Sequence, residues 1–309
     1  MRIVITGGAG FIGSHVQDAY LAMGHQILVI DNLVTGNRHH LNPKTQFCEM
    51  DIANPEAGRV IADFKPDLIN HHAAQMDVRK SVAEPSYDAQ VNVLGLLNLL
   101  EAARNSGIKK FIFSSTGGAV YGEQDYFPAD EKHPLRPASP YGLTKMVGEE
   151  YLKLYERLYG ISHVILRYAN VYGPRQNPHG EAGVVAIFCQ RLLKGETPVI
   201  NGDGEQTRDY VFVGDVIEAN CSALKADLKG TFNVGTGVET SVNTIYALLS
   251  KLAGVDRVER GPAKVGEQRR SVISPELARQ TFGWKPAMTL ENGLKKTFEW
   301  FKENEGLRL

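Results

Sequence analysis

The feature that most constrains this chain of 309 residues is a glycine-rich turn directly after its first apolar strand. Residues 2–6 read RIVIT, and Gly7, Gly10 and Gly13 follow within the sequence TGGAGFIGS. Glycines at such positions allow a tight strand-to-helix turn and let the backbone approach a pyrophosphate, which the N–H groups of the helix N-terminus then bind. The pattern therefore predicts a dinucleotide site at the start of the chain.

An acidic residue at the end of the second strand-like run indicates which dinucleotide to expect. The run covers residues 26–30, and Asp31 ends it. A carboxylate there binds the adenine ribose hydroxyls and repels a 2′-phosphate, so it favours NAD over NADP. The basic run that begins at Arg38 leaves NADP as a possible cofactor. The structural alternative is a glycine-rich turn and a surface aspartate that bind no cofactor.

Strand-like and helix-like patterns alternate through the first half of the chain. Apolar, β-branched runs occur at residues 2–6, 26–30, 67–70, 110–115 and 163–167. Helical patterns lie between them, as at 13–22 and 91–103, and later at 185–194, 216–224, 242–252 and 290–303. This alternation is typical of an α/β Rossmann-type fold with a doubly wound parallel sheet.

The less regular second half predicts a division into two lobes. We expect residues 1–170 to form the NAD-binding Rossmann domain and residues 171–309 to form mainly a smaller, interleaved substrate lobe. Segments near 205–235 are expected to return to the first domain, because no linker composition separates the halves.

Composition and charge exclude several classes of partner. The formal net charge is −1, with no basic excess to bind nucleic acid or anionic lipid. No apolar run is long enough for a membrane span or a signal peptide, so we expect no membrane partner. Three scattered cysteines predict no disulfide framework and fit a reducing cytoplasm. Neither pair of adjacent histidines is expected to bind a metal.

A second motif carries acid–base chemistry. Tyr141 and Lys145 follow Pro140 and lie four residues apart, which predicts one shared face at a helix start. An ammonium about 4 Å from a phenol is expected to lower the phenol pKa by up to about three units, towards neutral pH, and an oxidised nicotinamide acts in the same direction. A bare Tyr-x-x-x-Lys often marks an ordinary surface helix, but here it accompanies a dinucleotide motif and the hydroxyl-bearing strand end at 113–122.

Longer motifs extend nearly from end to end, and they are TGGAGFIGSH, DNL, SSTGGAVYG, SPYGLTK, LRYANVYGPRQ, GDGEQTRDYVFVGDV, FNVGTG and FGWKP. Together they resemble the extended short-chain dehydrogenase/reductases, most of all the UDP-glucose 4-epimerases. The resemblance implies bound NAD, a UDP-sugar substrate and epimerisation through transient oxidation at C4. It also implies a homodimer formed by the helices around 91–104 and 141–159.

The resemblance assigns site residues by position. It implies that Tyr141 is the catalytic base, that Lys145 is its partner on the nicotinamide ribose, and that the Thr116 hydroxyl contacts the reacting oxygen. The implied cofactor contacts, besides Tyr141 and Lys145, are Gly7, Gly10, Phe11, Ile12, Gly13, Asp31, Asn32, Thr35, Gly36, Asp51, Ile52, Ala73, Ala74, Gln75 and Asn92. The implied substrate contacts are Thr116, Tyr141, Asn170, Gly183, Val184, Arg208, Lys264 and Ser271.

Several positions depart from the family pattern. Thr116 replaces a common Ser, and Met76 replaces a common Lys, which removes one cofactor contact. Lys264 replaces an Arg for the diphosphate, so the charge is kept but bidentate geometry is lost. Arg208 is expected on the diphosphate, with an ion pair to a neighbouring carboxylate as its alternative. Ser271 lies at the position that, in the family, controls whether a large substituent at C2 of the sugar can enter. The alternative is that Ser271 is an ordinary surface-loop residue.

The loop after the strand end separates reactions within the family. Dehydratases and decarboxylases resemble STDEVYG and STSEVYG there, and they use acidic side chains for a second step. Gly117 and Gly118 supply no carboxylate, which favours a 4-epimerase. Another nucleotide-sugar epimerase, such as one for UDP-glucuronate, and a dehydratase stay open. A non-catalytic NAD-binding sensor is the distant alternative, and such sensors typically lose the Tyr/Lys pair.

Overall fold

The computed structural model describes residues 1–179, 183–263 and 268–304. It begins with the predicted strand, helix and strand, which are β1 (Arg2–Thr6), α1 (Phe11–Ala22) and β2 (Gln26–Asp31). Alternate residues of β1 pack into different buried clusters, Ile3 and Ile5 into one and Val4 into the other. Both faces of the strand are covered, which is why it is apolar throughout.

Strands and helices continue to alternate up to residue 172. The strands are β3 (Gln46–Glu49), β4 (Leu68–His71), β5 (Lys110–Thr116), β6 (Ser162–Tyr168) and β7 (Asn170–Tyr172). The helices are α2 (Glu56–Phe64), α3 (Val78–Ala83), α4 (Pro85–Ala89), α5 (Gly95–Asn105) and α6 (Pro140–Tyr159). A 3₁₀ turn spans Arg38–His40, and a π-helical turn at Gln90–Leu94 joins α4 to α5.

The strands among the remaining elements belong to three sheets: β10 joins the large sheet, β9, β11 and β13 form most of a smaller sheet, and β8 pairs with β12. In chain order they are α7 (Val184–Leu193), β8 (Val199–Asn201), β9 (Thr207–Phe212), α8 (Val213–Ala223), β10 (Gly230–Val234), β11 (Glu239–Ser241), α9 (Val242–Ala253), β12 (Glu259–Gly261), β13 (Arg270–Ser271), α10 (Glu276–Phe282) and α11 (Leu290–Glu303). Each strand and helix predicted from periodicity is present, with ends that differ by a few residues.

The large sheet confirms the predicted Rossmann-type fold. Among the described residues its seven strands follow the order β10-β6-β5-β4-β1-β2-β3, and all neighbours are parallel. The chain runs outward from β1 to β3 and returns on the other side of β1 as β4. The carboxyl ends of β1 and β4 therefore border a crevice of the kind in which open α/β sheets bind ligands.

The smaller sheet is built around β9. This strand pairs with β11, β13 and β7, and α7, α9 and α11 pack nearby around a separate apolar cluster. Within residues 205–235, β9 lies in the small sheet, whereas α8 packs on α1 and β10 forms the edge of the large sheet. The chain thus crosses between the two sheets more than once.

Three further observations apply to residues 1–179, 183–263 and 268–304. No helix in these ranges is both long enough and apolar enough to cross a membrane. No three His, Cys, Asp or Glu side chains in them come together as a metal-binding group. Cys48, Cys189 and Cys221 are each unbridged.

Candidate active site

The glycine-rich turn leaves bare backbone at the carboxyl end of β1. Gly7 has a φ of +69°, and a Cβ there would lie 2.5 Å from the backbone nitrogen of Ala73. A Cβ at Gly13 would overlap the Gly7 carbonyl oxygen. Gly10 precedes the first helical residues, Phe11 and Ile12, and contributes no side chain to the helix N-terminus. This end of α1 is therefore open to a phosphate, as dinucleotide binding requires.

Asp31 lies at the end of β2 and faces the same turn. Its Oδ2 accepts a hydrogen bond from the Ala9 nitrogen (2.9 Å), and its Oδ1 accepts one from the Leu33 nitrogen (2.9 Å). Burial raises the pKa of this carboxyl, whereas the two hydrogen bonds lower it. A Cβ at Gly36 would lie 2.8 Å from Oδ1, so the loop after β2 packs directly on the carboxylate. Each oxygen retains acceptor capacity for a ribose hydroxyl.

A cavity of about 300 Å³ lies between the loop after β2 and the start of α1. Phe11, Thr35, Gly36, Arg38 and Arg175 are among its lining residues. The predicted cofactor contacts Thr35 and Gly36 therefore share this open space with Phe11, a third predicted contact. The Arg38 guanidinium also pairs with Glu49.

The loop after β3 meets the loop after β2. Asn32 Nδ2 donates a hydrogen bond to Asp51 Oδ2 (2.9 Å), and Asp51 Oδ1 accepts one from the Ala53 nitrogen (2.8 Å). Ile52 is buried beside them. The structure thus brings together these three predicted adenine-side residues, although the Asn32 amide is already used within the protein.

The loop after β4 carries Ala73, Ala74 and Gln75 past the glycine turn. The Ala73 nitrogen lies 3.3 Å from Thr6 Oγ1 in β1. The Gln75 nitrogen donates to Asn92 Oδ1 (2.9 Å), and Asn92 Nδ2 donates to the Gln75 carbonyl oxygen (2.9 Å). Asn92 lies in the π-helical turn, a feature that often occurs at functional sites. Its side chain therefore fixes the cofactor loop from behind.

The Tyr141–Lys145 motif occupies the first turns of α6. Pro140 is the first helical residue, and Ser139 Oγ accepts a hydrogen bond from the Gly142 nitrogen (3.1 Å). A Cβ at Gly142 would lie 2.7 Å from the Ala119 carbonyl oxygen, so this turn packs against the loop after β5. The helix start predicted from Pro140 is confirmed.

The expected lowering of the Tyr141 pKa by Lys145 is wrong. Burial raises the pKa of Tyr141 above its usual value, and the negative charge of Asp88 raises it further. Lys145 Nζ donates to the Ser114 carbonyl oxygen (2.9 Å), and burial lowers the pKa of this lysine to about 8. Desolvation of the phenolate therefore dominates the Tyr141 pKa.

Thr116 and Asn170 lie on either side of Gly118. A Cβ at Gly118 would lie 3.8 Å from Thr116 Oγ1 and 3.6 Å from Asn170 Oδ1, which is ordinary contact. A Cβ at Gly117 would instead lie 2.7 Å from the Ile273 side chain. The Thr116 hydroxyl and the Asn170 amide, both predicted substrate contacts, therefore lie close to Gly118. Neither Gly117 nor Gly118 supplies a carboxylate there.

The remaining predicted substrate residues lie in the smaller lobe. Arg208 in β9 and Ser271 in β13 are direct partners in a parallel pair, and Ser271 is 3% exposed. Ser271 is thus a buried strand residue. Gly183 precedes Val184 at the start of α7, whereas Lys264 lies outside the described residues.

The neighbouring carboxylates of Arg208 are engaged elsewhere. Asp209 accepts hydrogen bonds from Thr236 Oγ1 (2.6 Å) and from the Gly237 nitrogen (3.1 Å). Glu205 accepts one from Asn243 Nδ2 (2.5 Å).

Sequence reasoning missed a set of buried polar residues behind the catalytic turn. They are Asp88 in α4, Thr144 and Glu149 in α6, and Arg167 in β6, and all are less than 9% exposed. Glu149 and Arg167 form a bidentate pair at 2.9 and 2.5 Å. A usable signal was present, because Asp88 lies four residues before Asn92 and Thr144 lies three residues after Tyr141.

Comparisons with known proteins agree with this geometry. Residues 3–235 match the NAD dependent epimerase/dehydratase family. The chain is 45% identical over 309 residues to a UDP-glucose 4-epimerase of Mycolicibacterium smegmatis, in an alignment that covers 98% of this chain and 99% of that protein. Two crystal structures are similar over 99% of this chain and 100% of theirs. They are the Thermotoga maritima UDP-glucose 4-epimerase with UDP-glucose (TM-score 0.97, 46% identity) and the Thermus thermophilus UDP-glucose 4-epimerase with NAD (TM-score 0.93, 44% identity).

Proposed function

The chain belongs to the NAD-dependent epimerase/dehydratase family, and we propose that it is a UDP-sugar 4-epimerase acting on UDP-glucose and UDP-galactose. One observation carries the proposal. The turn that holds Tyr141 and Lys145 packs against Ala119, in the loop that carries Gly117 and Gly118 directly after Thr116. Acid–base groups for C4 are thus present, while neither glycine supplies the acid for a second elimination step.

NAD is the cofactor of this enzyme, and the residues of the glycine turn suit it. A side chain at Gly7 or Gly13 would overlap the neighbouring backbone, so this tight turn requires glycine, and Asp31 offers oxygens to a ribose. Bound NAD would supply the hydride acceptor for C4 of the sugar and the donor that restores hydride to the same carbon. The reaction has no net redox change, so one NAD serves many turnovers.

The protein supplies proton transfer and orientation at C4. Tyr141 takes the proton of the 4-hydroxyl while Thr116 holds the reacting oxygen by a hydrogen bond. The ammonium of Lys145, tied to the Ser114 carbonyl oxygen, orients the nicotinamide ribose. The 4-keto sugar then rotates in the site and presents the opposite face of C4. Tyr141 returns the proton to the C4 oxygen as the hydride is restored on that face.

The diphosphate anchors the substrate at a distance from C4. We assign this role to Arg208, because a diphosphate needs cationic partners and the net charge offers little general attraction. Binding energy from the uridine diphosphate holds the substrate while the sugar reorients. Ser271, which pairs with Arg208, is small and leaves room beside the sugar, so we extend the substrate range to the N-acetylated forms.

A homodimer, a cytoplasmic location and a role in galactose metabolism complete the proposal. The predicted dimer helices expose apolar side chains in Leu94 (58%), Leu143 (47%), Leu158 (59%) and Tyr159 (40%). Pairing with a second copy would cover this surface. The three unbridged cysteines fit a reducing compartment, and interconversion of UDP-glucose and UDP-galactose belongs to galactose metabolism.

A panel of UDP-sugars tests the proposed function. The purified protein, without added NAD, is incubated with UDP-glucose, UDP-N-acetylglucosamine and UDP-glucuronate, and the products are separated by chromatography. We expect UDP-galactose and UDP-N-acetylgalactosamine. Conversion of UDP-glucuronate alone would favour a UDP-glucuronate epimerase instead. No conversion of any of the sugars would favour a non-catalytic NAD-binding sensor.

A further inference from the structure

Asp88 is a carboxylate in α4 with no exposed surface, and it lies outside the predicted site residues. Its Oδ1 accepts hydrogen bonds from Gln75 Nε2 (2.8 Å) and Asn92 Nδ2 (3.1 Å), and its Oδ2 accepts one from Thr144 Oγ1 (2.7 Å). A buried charge is costly unless several donors replace the water that it loses. All three donors here are neutral, so their hydrogen bonds leave the negative charge in place.

The three donors come from three different parts of the active site. Gln75 lies in the cofactor loop after β4, and Asn92 lies in the π-helical turn that supports this loop. Thr144 lies in α6, three residues after Tyr141, and its Oγ1 is also 3.1 Å from the Tyr141 carbonyl oxygen. One carboxylate therefore joins the cofactor loop to the catalytic turn.

We propose that Asp88 is a positioning residue that holds the Tyr141 turn and the Gln75 loop in one fixed arrangement and places a negative charge behind the Tyr141–Lys145 pair. The inference rests on the proposed function of that pair. Asp88 acts through Thr144 and through its charge, without touching the substrate.

The charges around Lys145 explain why the carboxylate matters. Burial lowers the pKa of Lys145 to about 8, and the negative charges of Asp88 and Glu149 raise it. Glu149 is paired with Arg167, which offsets its charge, whereas the hydrogen-bond donors to Asp88 are neutral groups. Asp88 is therefore the main anion that keeps the Lys145 ammonium protonated.

The other groups near the pair do not supply this charge. His71 and His72 face Lys145 from the end of β4, and burial lowers the pKa of each, so both are neutral at physiological pH. Asp88 also raises the pKa of Tyr141, after the larger effect of burial. Removal of the carboxylate should therefore lower the pKa of both catalytic groups.

The variant Asp88→Asn keeps the size of the side chain and removes its charge. We expect kcat for UDP-galactose formation to fall by about tenfold to a hundredfold, the usual range for losing a hydrogen-bonded charge. The alkaline limb of the pH–rate profile should move to lower pH, because Lys145 loses its proton earlier without the negative charge of Asp88. Bound NAD should also dissociate faster, because the Gln75 loop loses its anchor.

Two further variants separate positioning from charge. Thr144→Val breaks the link to α6 but keeps the carboxylate, so it should slow turnover without shifting the pH–rate profile. Thr144→Ser keeps the hydroxyl and should have the wild-type rate. Asp215→Asn is the matched control, because Asp215 is a buried carboxylate that accepts from the Ala287 and Met288 nitrogens (3.0 and 3.2 Å), away from the site. It should lower the melting temperature and leave the pH profile unchanged.

The outcomes are decisive in each case. The inference would be overturned if Asp88→Asn kept the wild-type kcat and the wild-type pH–rate profile. It would also be overturned if Asp215→Asn shifted the pH–rate profile in the same way as Asp88→Asn. If Asp88→Asn does not fold, a wild-type rate in Thr144→Val would overturn it. If the wild-type protein converts no UDP-sugar, the proposed function fails instead. The NAD dissociation rates of the Asp88 and Thr144 variants then decide, and rates equal to wild type would overturn the role of Asp88.

Discussion

The Nζ atom of Lys145 lies 2.9 Å from the carbonyl oxygen of Ser114. This hydrogen bond ties the catalytic helix α6 to β5 at the carboxyl edge of the large sheet. The ammonium also lies over the Phe113 ring, 4.9 Å from its centroid. It is therefore held by two neighbouring residues of the strand, Phe113 and Ser114.

The pKa of Lys145 predicts the alkaline limit of activity. Burial lowers this pKa to about 8, so the ammonium is present below that pH and is lost as the pH rises through it. Turnover should therefore fall above about pH 8. Lys145→Ala should be slower, lack this fall and have its optimum at higher pH, as pH–rate profiles will reveal. Lys153→Ala, in the same helix but ion-paired to Glu150 at the surface, is the control and should behave as wild type.

The glycine turn predicts that the purified protein carries NAD and that Gly13→Ala loses it. A Cβ at Gly13 overlaps the Gly7 carbonyl oxygen, so the turn must open. Gly58→Ala is the control, because its Cβ would make only a 3.6 Å contact with Ala102. Denaturation and identification of the released nucleotide measure both effects. Release of NADP, or full NAD content in Gly13→Ala, would contradict the assignment of this site.

The loop at Gly117 and Gly118 predicts that no product of dehydration or decarboxylation forms. These steps need an acid that neither glycine supplies, and the Ile273 side chain lies where a side chain at Gly117 would go. Mass analysis after long incubation with each nucleotide sugar is the measurement. A product lighter by water or carbon dioxide would mean that another residue provides the acid.

Ser271 predicts tolerance at C2 of the sugar. We expect activity on both UDP-glucose and UDP-N-acetylglucosamine, with Ser271→Tyr losing mainly the N-acetylated pair. Overlap with a bulky ring typically costs about 1–3 kcal/mol, which is roughly fivefold to 150-fold in kcat/KM. Ser271→Ala should keep both activities. An equal loss on both sugars in Ser271→Tyr would indicate a packing defect at this buried position and remove Ser271 as a gate.

The strands and long helices could be predicted from sequence because their signals are local. Apolar β-branched runs identified β1, β2 and β5, and Pro140 located the start of α6. Family motifs then supplied the site residues. Periodicity alone did not reveal the π-helical turn at Gln90–Leu94, because its backbone departs from the helical repeat that the pattern assumes.

The buried polar contacts could not be read in the same way. Asp88 is linked to Thr144, which is 56 residues away in sequence, and such a pairing follows only from how α4 packs against α6. The expected fall in the Tyr141 pKa was wrong for a similar reason. The spacing of four residues places the Lys145 ammonium on the same helix face as Tyr141. The burial of Tyr141 and the charge of Asp88, which is distant in sequence, depend on tertiary packing.

The most direct test of the central claim compares Tyr141→Phe with the wild-type protein. UDP-galactose formation from UDP-glucose is followed at neutral pH without added NAD, and the NAD content of both proteins is measured. We predict equal NAD content and a kcat lower by about 10²–10⁴-fold in Tyr141→Phe, because one acid–base group is lost. A Tyr141→Phe protein that keeps its NAD and turns over at a near wild-type rate would contradict the assignment of Tyr141 as the base.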